Sequence, residues 1–260
     1  MKIIVCVKQV PGSTEVRLDP ETHAMVRDAV AAGINPQDLC ALEAALQLKK
    51  KNGARVDTLS MGIPATENLL RDTLARGADG AMLLTDRAFA GADTLATAYT
   101  LSLGVRALGG ADLLCCGKNA IDGDTAQIGP ELAAMSGFRL VTDVAEIVGA
   151  DETAVTVRKL TDTGTCTVKV RLPAVLTVLG TEILPALPSL AGVRDSLTAK
   201  VAVLDAAGVG ADVTRTGFAG SPTSVVRTFA AENSRKAEPL PAGTDIAAYL
   251  LDTVGRKEDL

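Results

Sequence analysis

One stretch of the chain carries residue types suited to phosphate and ribose chemistry: Gly117-Lys118-Asn119-Ala120-Ile121-Asp122-Gly123-Asp124-Thr125-Ala126-Gln127-Ile128-Gly129-Pro130. It follows an apolar run, Leu113-Leu114-Cys115-Cys116, and leads into a helical pattern that ends near Ser136. Asp124-Thr125-Ala126-Gln127 reads as a capping box at that helix start. The backbone N–H groups of residues 125–129 are then free to face an anion, which the helix dipole favours. Asp122 and Asp124 repel a phosphate set directly beside them, so they fit better as a ribose ligand and a cap. A plain capped loop satisfies the same pattern. Gly117-Lys118 is followed by Asn119, so there is no P-loop. Gly208-Val209-Gly210 lacks the third glycine and the strand–helix context of a dinucleotide fingerprint.

The residue inventory removes other chemistries. His23 is the only histidine, so a multi-His metal site is excluded and no metal is expected. The five cysteines, Cys6, Cys40, Cys115, Cys116 and Cys166, form no CxxC pair, so neither a disulfide framework nor a zinc knuckle is signalled. The net charge is −5 and aromatics make up 2% of the chain, which disfavours nucleic acid. No run approaches the roughly 20 apolar residues that span a bilayer. The run at residues 1–8 is too short for a secretory signal. The expectation is a cytoplasmic protein with reduced cysteines.

The elements that must position the loop follow from periodicity. Ile3-Ile4-Val5-Cys6-Val7 is an apolar, largely β-branched run, as for a strand buried on both faces. Residues 14–18 and 24–27 alternate around Asp19-Pro20-Glu21-Thr22, an exposed hairpin with His23 as a solvated turn residue. Asn35-Pro36 opens a helix with Asn35 as N-cap; Leu39, Leu42, Ala45 and Leu46 form its buried stripe and Gly53 its stop. Strand 56–61, helix 64–76 with Gly77 as stop, strand 81–84, a helix from Asp93 to Leu108 and strand 113–116 continue the alternation. That grammar specifies a parallel sheet with helices on both faces. Residues 144–148, 154–160, 165–170 and 174–179 read as strands without helices between them, an antiparallel extension. From Gly180 the chain is Pro-rich and irregular, with one helix near 245–254.

The fold expected is α/β: a doubly wound, mostly parallel, Rossmann-like sheet of the adenine-nucleotide-binding type. An antiparallel extension and an irregular C-terminal arm complete it. Residues 1–179 make the nucleotide-binding domain and residues 180–260 an arm that packs on something else. Ligands of such sheets bind at the carboxyl ends of the strands. Cys6 to Pro11, Asn35, Ser60-Met61-Gly62 and residues 85–94 all fall there. Cys6 and Met61 suit either the flanks of an adenine ring or the core.

These residues resemble the β subunit of electron-transfer flavoprotein over nearly the whole chain. The resemblance rests on Val5-Cys6-Val7-Lys8-Gln9-Val10-Pro11, Asn35-Pro36, residues 117–129 and Arg171-Leu172-Pro173-Ala174-Val175-Leu176-Thr177-Val178. Asp86-Arg87-Ala88-Phe89-Ala90-Gly91-Ala92-Asp93-Thr94 and Gly220-Ser221-Pro222-Thr223-Ser224-Val225 are similar to the electron-bifurcating group. The resemblance implies a heterodimer with an α subunit. It implies FAD in the β subunit, reduced by NADH, with electrons passed to ferredoxin or flavodoxin and, through an α-bound FAD, to an acyl-CoA or lactate dehydrogenase. The ordinary group instead implies a structural AMP and simple electron shuttling. An adenine-nucleotide sensor or stress protein is a third reading, disfavoured by the long arm.

The matching cofactor residues are Cys6, Asn35, Met61, Ala120, Ile121, Asp122, Gly123, Asp124, Thr125, Ala126, Gln127, Ile128 and Gly129, with Asp93 and Thr94 near the flavin and Ser221 and Thr223 beside them. No residue need act as nucleophile or proton shuttle, since hydride chemistry belongs to the flavin. Family members commonly show Pro-Arg in the loop that grips the dehydrogenase; here Ala186 holds the Arg position. Leu184, Leu187 and Leu190 form the expected docking patch.

Overall fold

The computed structural model describes residues 1–12, 17–18, 25–26, 32–180, 182–226 and 239–255. Strands β1 (Lys2–Cys6), β2 (Gln9–Pro11), β3 (Arg17–Leu18), β4 (Met25–Val26) and β5 (Ala32–Ile34) precede helix α1 (Pro36–Asn52). Then come β6 (Arg55–Met61), α2 (Glu67–Arg76), β7 (Gly80–Leu84), α3 (Thr94–Ala107), β8 (Leu113–Gly117) and α4 (Ile128–Ser136). Strands β9 (Arg139–Ala150), β10 (Ala154–Thr161), β11 (Gly164–Arg171) and β12 (Ala174–Val178) follow without helices between them. The described remainder holds α5 (Leu190–Ser196), β13 (Ala202–Leu204) and α6 (Ile246–Gly255).

Nine strands form one sheet in the order β11-β10-β9-β12-β8-β1-β6-β7-β13. From β9 to β13 every neighbouring pair is parallel. The β-branched and leucine-rich central strands are buried on both faces, because helices cover both. Ile3 and Val5 point to the layer of α1 and α2, with Leu42, Leu46 and Leu70. Ile4 and Cys6 point to the layer of α3 and α4, with Leu101, Val105 and Leu132. The chain winds from β1 out through β6 and β7, then crosses back to place β8 on the other side of β1. The β1–β8 gap is therefore the switch point, where successive connections leave to opposite faces and a cleft opens.

Two expectations are corrected. The antiparallel extension consists of β9, β10 and β11 only; β12 is parallel and lies between β8 and β9. All five of its residues are buried, and a run apolar on both sides belongs in the middle of a sheet. The expected arm from residue 180 is the second. Residues up to 225 belong to the first compact unit, Met1–Val225, and the second unit is Val226–Leu260. Buried Ile183, Val201 and Ala206 hold the segment down, and β13 adds a parallel strand beside β7. The Arg71 guanidinium donates to the carbonyls of Ser196 and Ala199, each at 2.9 Å, fixing the end of α5. Within the second unit, α6 exposes Ile246, Tyr249, Leu250 and Leu251. The hairpin pairs Arg17 with Val26 and Leu18 with Met25; its turn, with His23, lies outside the described residues.

Gly129 shows how closely α4 sits on the sheet. A Cβ there would lie 2.2 Å from Thr177 Cγ2 and 3.3 Å from Cys116 Sγ. Alanine gains about 0.5–1 kcal/mol of helix propensity over glycine, but overpacking costs about 1–3 kcal/mol. We predict that Gly129→Ala lowers unfolding free energy by about 1–2 kcal/mol in urea. A gain in stability would show that α4 is free to move off β12.

Candidate functional site

The cleft is assembled by the first turn of α1. Both oxygens of the buried Asp38 carboxylate accept backbone N–H groups: Oδ2 from Lys8 at 2.9 Å and Oδ1 from Gly117 at 2.7 Å. Those amides lie just past the end of β1 and at the end of β8, where the strands part and the ladder supplies no acceptor. Gln37 Oε1 accepts from Asn119 N at 2.9 Å. Asn35, fully buried, accepts from Ile121 N at 3.2 Å and donates to the Asn119 carbonyl at 2.9 Å. Its expected role as a side-chain cap is not observed. The backbone of residues 119–121 offers partners that bind the amide on both of its ends, and the helix start goes without it.

Past this clamp the loop makes a tight turn, with Asp124 N donating to the Ala120 carbonyl at 2.8 Å. The capping box is the next correction: α4 begins at Ile128, and Gln127 at its cap position makes no side-chain cap. Asp124 and Ala126 adopt left-handed φ values of 47° and 55°. Alternating left- and right-handed residues turn successive N–H groups into one concavity, an anion-binding nest. Among the described residues, the amides of Thr125, Ala126, Gln127, Ile128 and Gly129 have no intramolecular acceptor. Asp122 is drawn away by an ion pair with Lys8 Nζ at 2.7 Å. Lys118 Nζ pairs likewise with Asp143 at 2.8 Å.

The opposite wall is the start of α3. Asp93 Oδ1 caps the helix, accepting from Ala96 N at 3.1 Å, as expected. Its Oδ2 accepts from both the amide (3.1 Å) and the hydroxyl (2.9 Å) of Thr223. Ser221 Oγ in turn accepts from Asp93 N at 2.8 Å, and Phe218 N donates to the Ala90 carbonyl at 2.9 Å. The two segments singled out separately in sequence, 86–94 and 220–225, are therefore joined. Thr94 closes the cleft: its hydroxyl lies 3.2 Å from Gln127 Oε1 and donates to Glu131 Oε1 at 2.9 Å. The other Glu131 oxygen is buried without a partner, and burial raises this carboxyl above the ordinary range.

Cys6 and Met61 end β1 and β6 at the same edge. Burial, and then the charge of Asp38, push the Cys6 thiol up to about 12, so it is a neutral packing group. Leu184, Leu187 and Leu190 are each at least 88% exposed. The backbone between the first two is tethered: Ala186 N donates to Glu43 Oε2 at 3.1 Å, and Arg76 donates to the Ala186 carbonyl at 2.8 Å. Gln37, Asp38 and Glu131 escaped the sequence reading. In sequence Asp38 is an acid in a first helical turn, an ordinary dipole partner. Among the described residues no His, Cys, Asp and Glu cluster fits a metal, and no helix is long and apolar enough to cross a membrane.

Comparison with known proteins names the architecture. The electron transfer flavoprotein domain matches residues 22–209. The chain is 41% identical to the electron transfer flavoprotein subunit beta of Clostridium acetobutylicum, over 96% of either chain. The chain belongs to the electron transfer flavoprotein family, as a β-type subunit. It is also 43% identical to protein FixA of Azorhizobium caulinodans, over 88% of this chain and 84% of that one. It is 41% identical to the caffeyl-CoA reductase–Etf complex subunit CarD of Acetobacterium woodii, over 88% and 87%. Membership implies involvement of a flavin or nucleotide and an α-type partner.

Asp38 gives this β-type cleft a pH signature. Burial raises its carboxyl from 3.8 to about 6, although the Gly117 and Lys8 amides and Asn35 pull it down. Between those values the folded chain binds a proton that the unfolded chain lacks. The stability this contributes is fully present below 3.8 and is lost as pH rises through about 6. We predict that the unfolding free energy of the native chain, minus that of Asp38→Asn, falls from pH 4 to pH 7 by at most about 3 kcal/mol. Parallel pH profiles for the two proteins would refute the assignment.

Proposed function

We propose that this chain holds FAD in the cleft between β1 and β8 and works as the NADH-oxidising, electron-bifurcating half of a heterodimer with an α subunit. The observation that carries the reading is the junction at Thr94. It joins the nest loop to the 86–94 segment, and Asp93 adds residues 221–223, so the three segments form one continuous wall. The residues suit the cofactor. The amides of residues 125–129 hold phosphate oxygens, and Asn35, through residues 119–121, keeps the loop in register with β1. Cys6 and Met61 flank the adenosine end. Asp93, Thr94, Ser221 and Thr223 shape the flavin end, and Asp122, tied to Lys8, limits the approach to the ribose. When bound, FAD supplies hydride acceptance from NADH and delivery of single electrons; the chain orients it and sets its surroundings.

We assign one electron route to ferredoxin or flavodoxin. The other runs through an α-bound FAD to an acyl-CoA or lactate dehydrogenase. The name of the relative from Acetobacterium woodii, a complex with a caffeyl-CoA reductase, favours a partner that handles CoA thioesters. The dehydrogenase docks on Leu184, Leu187 and Leu190, apolar side chains that are costly to leave in water. The α subunit covers the exposed apolar residues of α6.

Cofactor content tests the central claim. The co-expressed heterodimer is denatured and the released nucleotides are resolved on a column. Two FAD per heterodimer, with little AMP, is the expected result. One FAD with one AMP would exclude bifurcation and leave a shuttling subunit with a structural nucleotide.

Docking makes a separate prediction. Leu187 is exposed and its neighbour Ala186 is held through backbone bonds, so Leu187→Glu leaves the fold intact. An unpaired charge placed in a buried contact costs several kcal/mol. Electron delivery to the dehydrogenase is expected to fall at least tenfold, while NADH oxidation by an artificial dye stays near normal. If both rates fall together, the loop serves the cofactor site and the docking assignment is wrong.

A further inference from the structure

Helix α3 runs from the candidate cleft to a second group of polar side chains. Its 14 residues extend about 20 Å, from Thr94 at the cleft to Arg106 in the last turn. There the C-terminal halves of α3 and α4 and the turn at residues 208–215 border two open surface grooves. Both grooves share the same three side chains: Tyr99, Arg106 and Arg215. The Gly208-Val209-Gly210 turn, which matches no nucleotide fingerprint, lines the larger one.

The polar groups that line both grooves are donors suited to an anion. The Arg215 guanidinium carbon lies 4.0 Å from the centre of the Tyr99 ring, which holds the planar cation in place. The Tyr99 hydroxyl accepts the Asp212 N–H at 3.1 Å, so its own proton is left to donate. Among the described residues neither Arg106 nor Arg215 takes part in an ion pair. Asp212 is the acid next to Arg215 and its charge acts on that guanidinium, while its Oδ1 also accepts from the amide (3.0 Å) and hydroxyl (2.6 Å) of Thr214. Two guanidinium forks and a phenol match a tetrahedral group with three oxygens better than a planar carboxylate. Met135 and Phe138 give the smaller groove an apolar wall.

We propose that Tyr99, Arg106 and Arg215 form a second ligand site, separate from the cofactor cleft, for an organic phosphate with a flat apolar body. The phosphate sits between the guanidinium groups, and the apolar body lies against Met135 and Phe138. Arg215 is the preorganised half of the grip, and Arg106 completes it from the end of α3.

The test uses the heterodimer with its α-type partner and its cofactor in place, so that the cleft is filled. Phenyl phosphate is titrated calorimetrically, with inorganic phosphate as the anion lacking an apolar body. Phenyl phosphate is expected to bind at least tenfold more tightly than inorganic phosphate. Arg106→Gln and Arg215→Gln each weaken it at least tenfold, and Tyr99→Phe, which keeps the stacking ring, weakens it several-fold. The arginines are exposed, so cofactor content and melting temperature stay unchanged. Asp122→Ala, in the cofactor loop, leaves phenyl phosphate binding intact. Absence of binding, equal binding of the two phosphates, indifference to the arginine substitutions, or loss of binding in Asp122→Ala would each overturn the proposal.

Discussion

The buried carboxylate of Asp38 is the point from which the cleft is organised. Where β1 and β8 part, the amides of Lys8 and Gly117 lose their ladder acceptors, and an unmet buried donor costs about 1–3 kcal/mol. A single carboxylate meets both. This requires α1 to begin within contact distance of the end of β8, and Gly117 permits it: a Cβ there would lie 2.7 Å from Asp38 Oδ1. Once α1 is seated, Gln37 and Asn35 from the same turn take the next backbone groups of the loop. One helix start thus sets the position of residues 117–121 and, through them, the nest that follows.

The cleft's charge is arranged in an unusual way. The lysines nearest the loop, Lys8 and Lys118, are each paired with a loop or strand aspartate. Part-exposed pairs of this kind contribute little to stability, about 0–1 kcal/mol. In the proposed reading their effect is on recognition: they withdraw mobile cations and leave fixed backbone dipoles to meet a ligand. Binding by dipoles at a helix start depends on geometry more than on side-chain charge. That explains why the strained φ values fall at Asp124 and Ala126, the residues that aim the amides.

The facing wall is made by chain segments that come together only after the sheet has formed. Asp93 serves two purposes at once, capping α3 with one oxygen and holding Thr223 with the other. The helix start that faces the cleft and the segment that leads out of the first compact unit are thereby bound to one side chain. A change at Asp93 acts on both. Arg106 lies in the last turn of the same helix, so α3 runs from the candidate cleft to the phosphate site proposed at its far end.

The sequence by itself determined the fold class and singled out the loop after β8 as the candidate site. Alternation of apolar runs with 3.6-residue periodicity is a local property, and it specified the parallel core, the glycine stops of α1 and α2 and the Asp93 cap. The position of the loop after β8 located the cleft. Tertiary structure alone decided the rest. It placed β12 inside the sheet, folded residues 182–225 back onto the first unit and moved the start of α4 to Ile128. It also turned Asn35 from a cap into a clamp and Asp38 from a helix-end acid into the bridge between strands. The reason is the span of the contacts involved. Asp38 and Gly117 are 79 residues apart in the chain, and Asp93 and Thr223 are 130 apart. Local propensity states what a residue prefers among its neighbours, but which distant amide is left without an acceptor is known only when the sheet order is.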